Sequence, residues 1–213
     1  MKANILSATL MAAAMLLSSG ASAQKTQSLF NGKDLSNWKL VLEDNSGSPE
    51  QTFSVKDGNI FITGTPRGYM YTTETFGNCK VHAEWRWPNG KASDSGIFVL
   101  LTDPKARPSA VQCNLKADDA GSIVSIGVKL AEYKTDPKDT RPVEIFSKYQ
   151  KSSEKPVGEW NEANIFIING VMSMYINGVL QNIGTCTKKE GAIGLQSEGG
   201  EIEFRNVTVT SIE

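Results

Sequence analysis

Two Asn-Gly pairs set eight residues apart constrain this chain more than any other feature. Asn169-Gly170 follows the β-branched run Ile165-Phe166-Ile167-Ile168, and Asn177-Gly178 follows Val171-Met172-Ser173-Met174-Tyr175-Ile176. Asn-Gly supplies the two positive φ angles that a type I′ turn needs, and that turn matches the twist of a tight hairpin. Residues 164–182 are therefore predicted to form a three-stranded antiparallel meander.

The rest of the chain repeats the theme. Gly, Asn-Gly or Pro punctuates it every eight to twelve residues, and after residue 24 no apolar stripe runs for three helical turns. Val81, Ala83, Trp85 and Trp87 alternate with Lys80, His82, Glu84 and Arg86, so one face of a strand is apolar and the other charged. After Pro88-Asn89-Gly90, Ser95-Gly96 leads into Ile97-Phe98-Val99-Leu100-Leu101, which reads as a strand buried on both faces. Gly191-Ala192-Ile193-Gly194-Leu195-Gln196 and residues 201–209 read as a closing hairpin. Its alternation slips at Asn206, where a bulge would return Val207 and Val209 to the core. Residues 118–156, charged and proline-containing, read as strands mixed with a long loop. Short strands at regular spacing predict an all-β sandwich or barrel.

The first residues have the order of a secretory signal: Lys2, an apolar run over residues 5–17, then Ala21-Ser22-Ala23. The run is shorter than the roughly 20 residues a spanning helix needs, and no cysteine follows the cleavage point to carry a lipid. The expectation is a signal peptide over residues 1–23 and one sandwich domain over 24–213, periplasmic or secreted. Without Lys2 the chain carries 21 Lys and Arg against 23 Asp and Glu. That near-neutral balance, with no long basic run, argues against nucleic acid and against membrane insertion. Cys79, Cys113 and Cys186 allow one disulfide at most; none has metal or redox spacing, and buried small hydrophobes fit them best.

His82 is the single histidine, and neither GxSxG, HExxH, an acidic EF-hand loop nor GxxxxGK[ST] occurs. A Ser-His-Asp hydrolase, a metal site and a nucleotide cofactor therefore have no sequence support. What remains is polar groups on strand faces: His82, Glu84 and Arg86 in one row, with Glu198 and Arg205 flanking the closing segment. Such a row also suits a solvated face of surface ion pairs, each worth under about 1 kcal/mol. Trp38, Trp160, Tyr69 and Tyr71 lie in or near turn-rich stretches, where exposed aromatic planes would suit sugar rings and buried ones the core.

Read together, these segments resemble the 3-keto-disaccharide hydrolase family, formerly domain of unknown function 1080. The likeness begins at Leu29-Phe30-Asn31-Gly32-Lys33-Asp34-Leu35-Ser36-Asn37-Trp38 and passes through Phe53-Ser54-Val55-Lys56-Asp57-Gly58, Ala83-Glu84-Trp85-Arg86 and Asp94-Ser95-Gly96-Ile97. It continues at Gly158-Glu159-Trp160-Asn161, Asn177-Gly178 and Gly191-Ala192-Ile193-Gly194-Leu195-Gln196-Ser197-Glu198-Gly199, and ends at Glu203-Phe204-Arg205-Asn206-Val207. The resemblance implies a concanavalin A-like antiparallel jelly-roll β-sandwich, exported by a bacterium, with a carbohydrate site on the concave sheet. One departure stands out: where the family commonly has Glu-x-Gln, this chain has Ala110-Val111-Gln112.

The activity so implied is cleavage of a 3-keto-glycoside or related glycosidic bond. A ketone at C3 acidifies the C2 proton, so a carboxylate can remove it while the leaving oxygen is protonated. Glu198 is the first choice for acid or base, with Glu84 or His82 second, and Arg86 and Arg205 would stabilise negative charge. Gln112, Asn161 and Gln196 would bind hydroxyls, and Trp160 or Trp38 would form an aromatic wall. These groups are expected to meet in one hollow. The alternative from another class is a non-catalytic, lectin-like carbohydrate-binding domain, which Ala110 favours.

Overall fold

The computed structural model describes residues 24–44, 47–131 and 143–213. The segment read as a signal peptide and part of the poorly readable stretch lie outside these residues. Among the described residues the secondary structure is almost entirely β, with one helical turn, α1 (Pro49–Thr52).

The first sheet holds β1 (Thr26–Ser28), β3 (Phe53–Lys56), β4 (Asn59–Ile62), β6 (Cys79–Arg86), β11 (Asn161–Ile168), β12 (Val171–Ile176), β13 (Val179–Thr185) and β15 (Ile202–Ser211). Its order is β13-β12-β11-β6-β15-β4-β3, with β1 paired to β15. The second sheet holds β2 (Trp38–Leu42), β5 (Gly68–Thr72), β7 (Gly96–Thr102), β8 (Ser109–Asn114), β9 (Ile123–Ile126), β10 (Val143–Phe146) and β14 (Ala192–Ser197). Its order is β10-β9-β8-β7-β14-β5-β2. The strand pairs within both sheets are antiparallel, and the chain passes repeatedly from one sheet to the other. That is the jelly-roll sandwich the resemblance implied.

The predicted meander is β11-β12-β13. Ile168 pairs with Val171 and Ile176 with Val179, leaving two residues in each turn. Asn169, Gly170, Asn177 and Gly178 have φ of 53°, 85°, 48° and 79°, the positive values a type I′ turn requires. Strand β6 alternates as expected: Cys79, Val81, Ala83 and Trp85 are buried, and their neighbours are half-buried on the opposite face. Strand β7 is buried from Gly96 to Leu101. The slip at Asn206 is a bulge, with φ of 50° and a register shift between Arg205 and Thr208, and Val207 and Val209 return to the core.

The predicted closing hairpin does not form. β14 pairs with β5 and β7 in the second sheet, whereas β15 pairs with β6 and β4 in the first. Both strands carry apolar residues enough to be flanked on two sides, and the Gly199-Gly200 turn carries the chain across the sandwich. Adjacency in sequence therefore becomes packing between sheets. Cys79, Cys113 and Cys186 are buried and free, and burial pushes the Cys79 and Cys113 thiols up to about 11 and about 12.

The main core lies between the sheets, where Trp85, Phe204, Ile60 and Ile165 of the first meet Ile97, Val111, Ile193 and Leu195 of the second. A smaller apolar cluster of Tyr69, Phe98, Leu101, Ala110 and Ala192 lies on the opposite face of the second sheet. It follows from the period-two alternation, since Phe98 alternates with Ile97 and Ala110 with Val111. That second face is where the chain forms its hollow.

Candidate functional site

A cavity of about 370 Å³ opens on the outer face of the second sheet, within the size range of small-molecule sites. Its floor is built from alternate residues of neighbouring strands: Tyr69 of β5, Phe98 of β7, Gln112 and Asn114 of β8, and Gln196 of β14. Glu198 follows β14 directly, and Asp94, which pairs with it in an isolated backbone bridge, precedes β7. Arg67, Glu43, Lys116 and Asp119 complete the charged end.

The polar groups form one hydrogen-bonded line. Gln112 Nε2 donates to Gln196 Oε1 at 2.8 Å, Gln196 Nε2 donates to Glu198 Oε2 at 2.7 Å, and Arg67 Nη2 meets Glu198 Oε1 at 3.0 Å. Ser95 Oγ secures β14 by donating to the Gln196 carbonyl at 2.8 Å. Gln112 and Gln196 are almost wholly buried, so the line fixes their amide orientations as well as the Glu198 carboxylate. Gly96 makes this possible. A Cβ there would overlap the Gln112 side chain, lying within 2.5 Å of its Cδ, so Gln112 crosses β7 only because that position has no side chain.

Burial raises the Glu198 carboxyl above its ordinary value, and the charges of Asp94 and Glu43 push the same way against Arg67 and the Gln196 amide. Burial likewise raises Asp94, with Lys116 opposing. Arg67 also faces Glu43 at 3.7 Å, so one guanidinium serves two carboxylates while a third stands close by. Such a group of carboxylates retains a proton more readily than isolated ones do, the condition for acid and base at one pH. Among the described residues no cluster of three or more His, Cys, Asp and Glu is placed to hold a metal ion. No helix among them is long and apolar enough to cross a membrane.

Of the residues singled out from sequence, Glu198, Gln112 and Gln196 meet in this groove. Glu84, Arg86, His82 and Arg205 do not reach it. They stand on the outer face of the first sheet, across the core, because Val81, Ala83 and Trp85 turn inward and force their neighbours outward. There Arg205 Nε donates to Glu84 at 2.7 Å, Asn206 donates to Glu84 at 2.6 Å and Arg86 Nε donates to Glu203 at 2.7 Å. His82 Nδ1 hydrogen-bonds the Asn164 side-chain oxygen at 2.9 Å. Trp160 belongs to the same face, its ring 4.0 Å from the Arg205 guanidinium carbon and 4.7 Å from that of Arg86. Burial alone would raise Glu84, but the Asn206 and Arg205 hydrogen bonds outweigh it and hold its carboxyl below the usual range. Asn161 is buried, its oxygen accepting from Lys155 N and Asn177 Nδ2, so it braces a turn. Trp38 packs in the main core and donates its indole N–H to the Leu29 carbonyl at 2.9 Å. The expectation of a single convergent hollow is corrected accordingly: period-two alternation sends the two polar sets to opposite outer faces.

Sequence reading also missed groove residues. Asn114 follows Gln112 by two, so alternation alone could have placed it on the same face. Asp94 lies within the Asp94-Ser95-Gly96-Ile97 motif but was read only as part of the resemblance. Glu43 just follows β2 and Arg67 just precedes β5, outside the alternating strands, and no sequence signal marks them.

Family membership and relatives indicate that this jelly-roll sandwich, with its amide-floored, carboxylate-edged groove, is a carbohydrate-active domain of the glycosyl hydrolase-like type. Residues 25–210 match the model of the 3-keto-alpha-glucoside-1,2-lyase-like domain, and the chain belongs to that family. It is 23% identical over 240 residues to a 3-keto-disaccharide hydrolase of Bacteroides thetaiotaomicron, covering 87% of this chain and 78% of that protein. Among solved structures it resembles a Parabacteroides distasonis protein assigned as a glycosyl hydrolase, with a TM-score of 0.65 at 19% identity over 88% of this chain and 94% of that one. A carbohydrate-binding module from Bacillus subtilis shares the fold with a TM-score of 0.61 at 11% identity, over 87% and 100% of the respective chains.

Two outcomes follow from the two faces. Gly96→Ala displaces Gln112, and adding Gln112→Ala to it restores the space. Urea unfolding of the two single variants and the double variant should therefore show a coupling of about 0.5–3 kcal/mol; strict additivity would mean that Gln112 does not need the glycine. Glu84→Gln should destabilise the protein at neutral pH. The Glu84 carboxyl is lowered in the folded state, so its contribution is present above the unfolded value and lost as pH falls through the folded one. The Tm difference from wild type should shrink along that acid limb, and a pH-independent difference would show that the charge is not the cause.

Proposed function

We propose that this chain cleaves the glycosidic bond of a 3-keto-glycoside by elimination in the groove of the second sheet. The observation that carries the reading is the pairing of Glu198 and Asp94 across a backbone bridge, both raised by burial, beside Arg67 and Lys116. Glu198, aligned by Gln196 and Arg67, takes the C2 proton. The C2–H electron pair forms the C1=C2 bond, the C1–O bond breaks, and the departing oxygen takes a proton from Asp94. The ketone holds the developing negative charge, which Arg67 and Lys116 are positioned to offset. Gln112 and Asn114 supply hydrogen bonds to ring hydroxyls. Water then adds to the unsaturated sugar to complete a net hydrolysis.

Both carboxyls are shifted upward, so the working window moves toward higher pH. Activity falls on the acid side as Glu198 is protonated and on the alkaline side as Asp94 loses its proton.

A second reading, carbohydrate binding without turnover, is favoured by Ala110. It is fully buried beside Phe98 and Leu101, so β8 offers no carboxylate next to Gln112. Turnover of a 3-keto-glucoside and of its unoxidised parent separates the two. The elimination reading expects cleavage of the keto compound alone, with Glu198→Gln and Asp94→Asn each lowering kcat by about 10²–10⁴. Saturable binding of both sugars without product supports the binding module instead, and full activity in Glu198→Gln removes Glu198 from the chemistry.

We also infer export to the periplasm or medium, on the strength of the N-terminal pattern of Lys2, apolar run and Ala21-Ser22-Ala23. N-terminal sequencing of protein recovered outside the cytoplasm should begin at Gln24; an intact Met1 would overturn the inference.

A further inference from the structure

The strand register divides the groove floor into rows. Asn114 lies opposite Gly96, and Gln196 opposite Tyr69, giving a polar row beside Glu198 and Asp94. One step further along the strands, Phe98 pairs with Gln112, Gln112 with Val124 and Val124 with Ile145. The next row is Ala110, Ile126 and Val143. Successive rows on one face are about 7 Å apart, so the floor passes from amides and carboxylates to hydrocarbon within the span of one sugar ring.

The hydrocarbon end is exposed as well as apolar. Val143 and Ile145 are 37% and 64% exposed and line the cavity from the edge strand β10. Phe146, on the other face of β10, packs against the main core. Core packing thus accounts for Phe146 but not for Val143 and Ile145. Beyond Gln112, Phe98, Val124, Ile126, Val143 and Ile145 offer no side-chain hydrogen bond. Arg107, exposed and next to Pro108, is the charged lining residue at the start of β8.

We propose that this apolar end is a binding site for a planar aromatic group, and that the substrates are 3-keto-glycosides with an aryl aglycone. The proposal rests on the elimination reading for its second half. The keto-sugar sits over Gln112, Gln196 and Asn114 with C1 and C2 at Glu198 and Asp94, and the aglycone runs across β9 and β10 onto Val124, Ile126, Val143 and Ile145. A second sugar there would lay several hydroxyls against Val124, Ile126, Val143 and Ile145 with Arg107 as the one charged donor near them, whereas an aromatic ring surrenders only apolar area. Ala110 belongs to this end: a larger polar side chain at its position would interrupt the hydrocarbon floor. Arg107 can stack on the exposed face of such a ring.

The test compares an aryl 3-keto-glucoside with a 3-keto-disaccharide, in wild type and Ile145→Asp, and measures binding of 2-naphthol to both proteins by NMR titration. The proposal expects kcat/KM at least about tenfold higher for the aryl compound, a selective loss of about tenfold in Ile145→Asp carried by KM, and weakened naphthol binding in the variant. Ile145 is exposed, so the aspartate leaves the fold intact. Equal use of the two substrates, or equal losses on both, overturns the aryl assignment, and absence of naphthol binding to wild type overturns the site itself. If neither keto compound turns over but naphthol binds and Ile145→Asp weakens it, the aromatic site stands and the elimination reading fails.

Discussion

Strands β7, β8 and β14 carry buried side chains on both faces, and the rest of the molecule depends on that constraint. One set of their side chains must fill the space between the sheets, and the alternate set becomes the floor of a groove. Neither set can move by one residue without exchanging hydrocarbon for amide on both surfaces at once. Gly96 shows how tightly the two roles are joined. The missing side chain leaves a channel across β7, and Gln112 uses it to reach Gln196 and, through it, Glu198.

The two outer faces of the sandwich handle charge in opposite ways. On the first sheet, Glu84 meets Arg205 and Glu203 meets Arg86 one to one, with Trp160 lying against both guanidinium groups. Those four charges are matched in pairs, and the Glu84 carboxyl is held below its usual range. In the groove Arg67 faces both Glu43 and Glu198 while Asp94 adds a further carboxyl. Matched pairs contribute to holding a surface together. A crowded, partly buried group of like charges costs stability and is where perturbed carboxyls, and acid–base chemistry, are found.

Much of the fold was legible from local pattern. The turns at Asn169-Gly170 and Asn177-Gly178, the alternation of β6 and the bulge at Asn206 are each set by residues within a few positions of one another. The pairing of β14 and β15 was misread for the same reason: two neighbouring strands look like a hairpin unless one knows that β5 and β7 compete for β14 while β6 and β4 compete for β15. Of the groove's residues, Glu198 is marked by its place beside the closing segment, and Gln112 and Gln196 by the family resemblance. Asp94 and Arg67 are not marked, because their place in the groove comes from where two loops meet the end of β14.

By itself, the sequence determined which side chains share a strand face, since alternation with a period of two is a property of the backbone, and it determined the tight turns, since positive φ favours Asn and Gly. It could not say which of two polar faces would be hollow. Glu84-x-Arg86 and Gln112-x-Asn114 look alike as alternating polar pairs. Only the packing of one sheet on the other turned the first into an ion-paired outer surface and the second into the floor of a groove, because closing the core decides the side of the molecule on which each strand's polar edge is left.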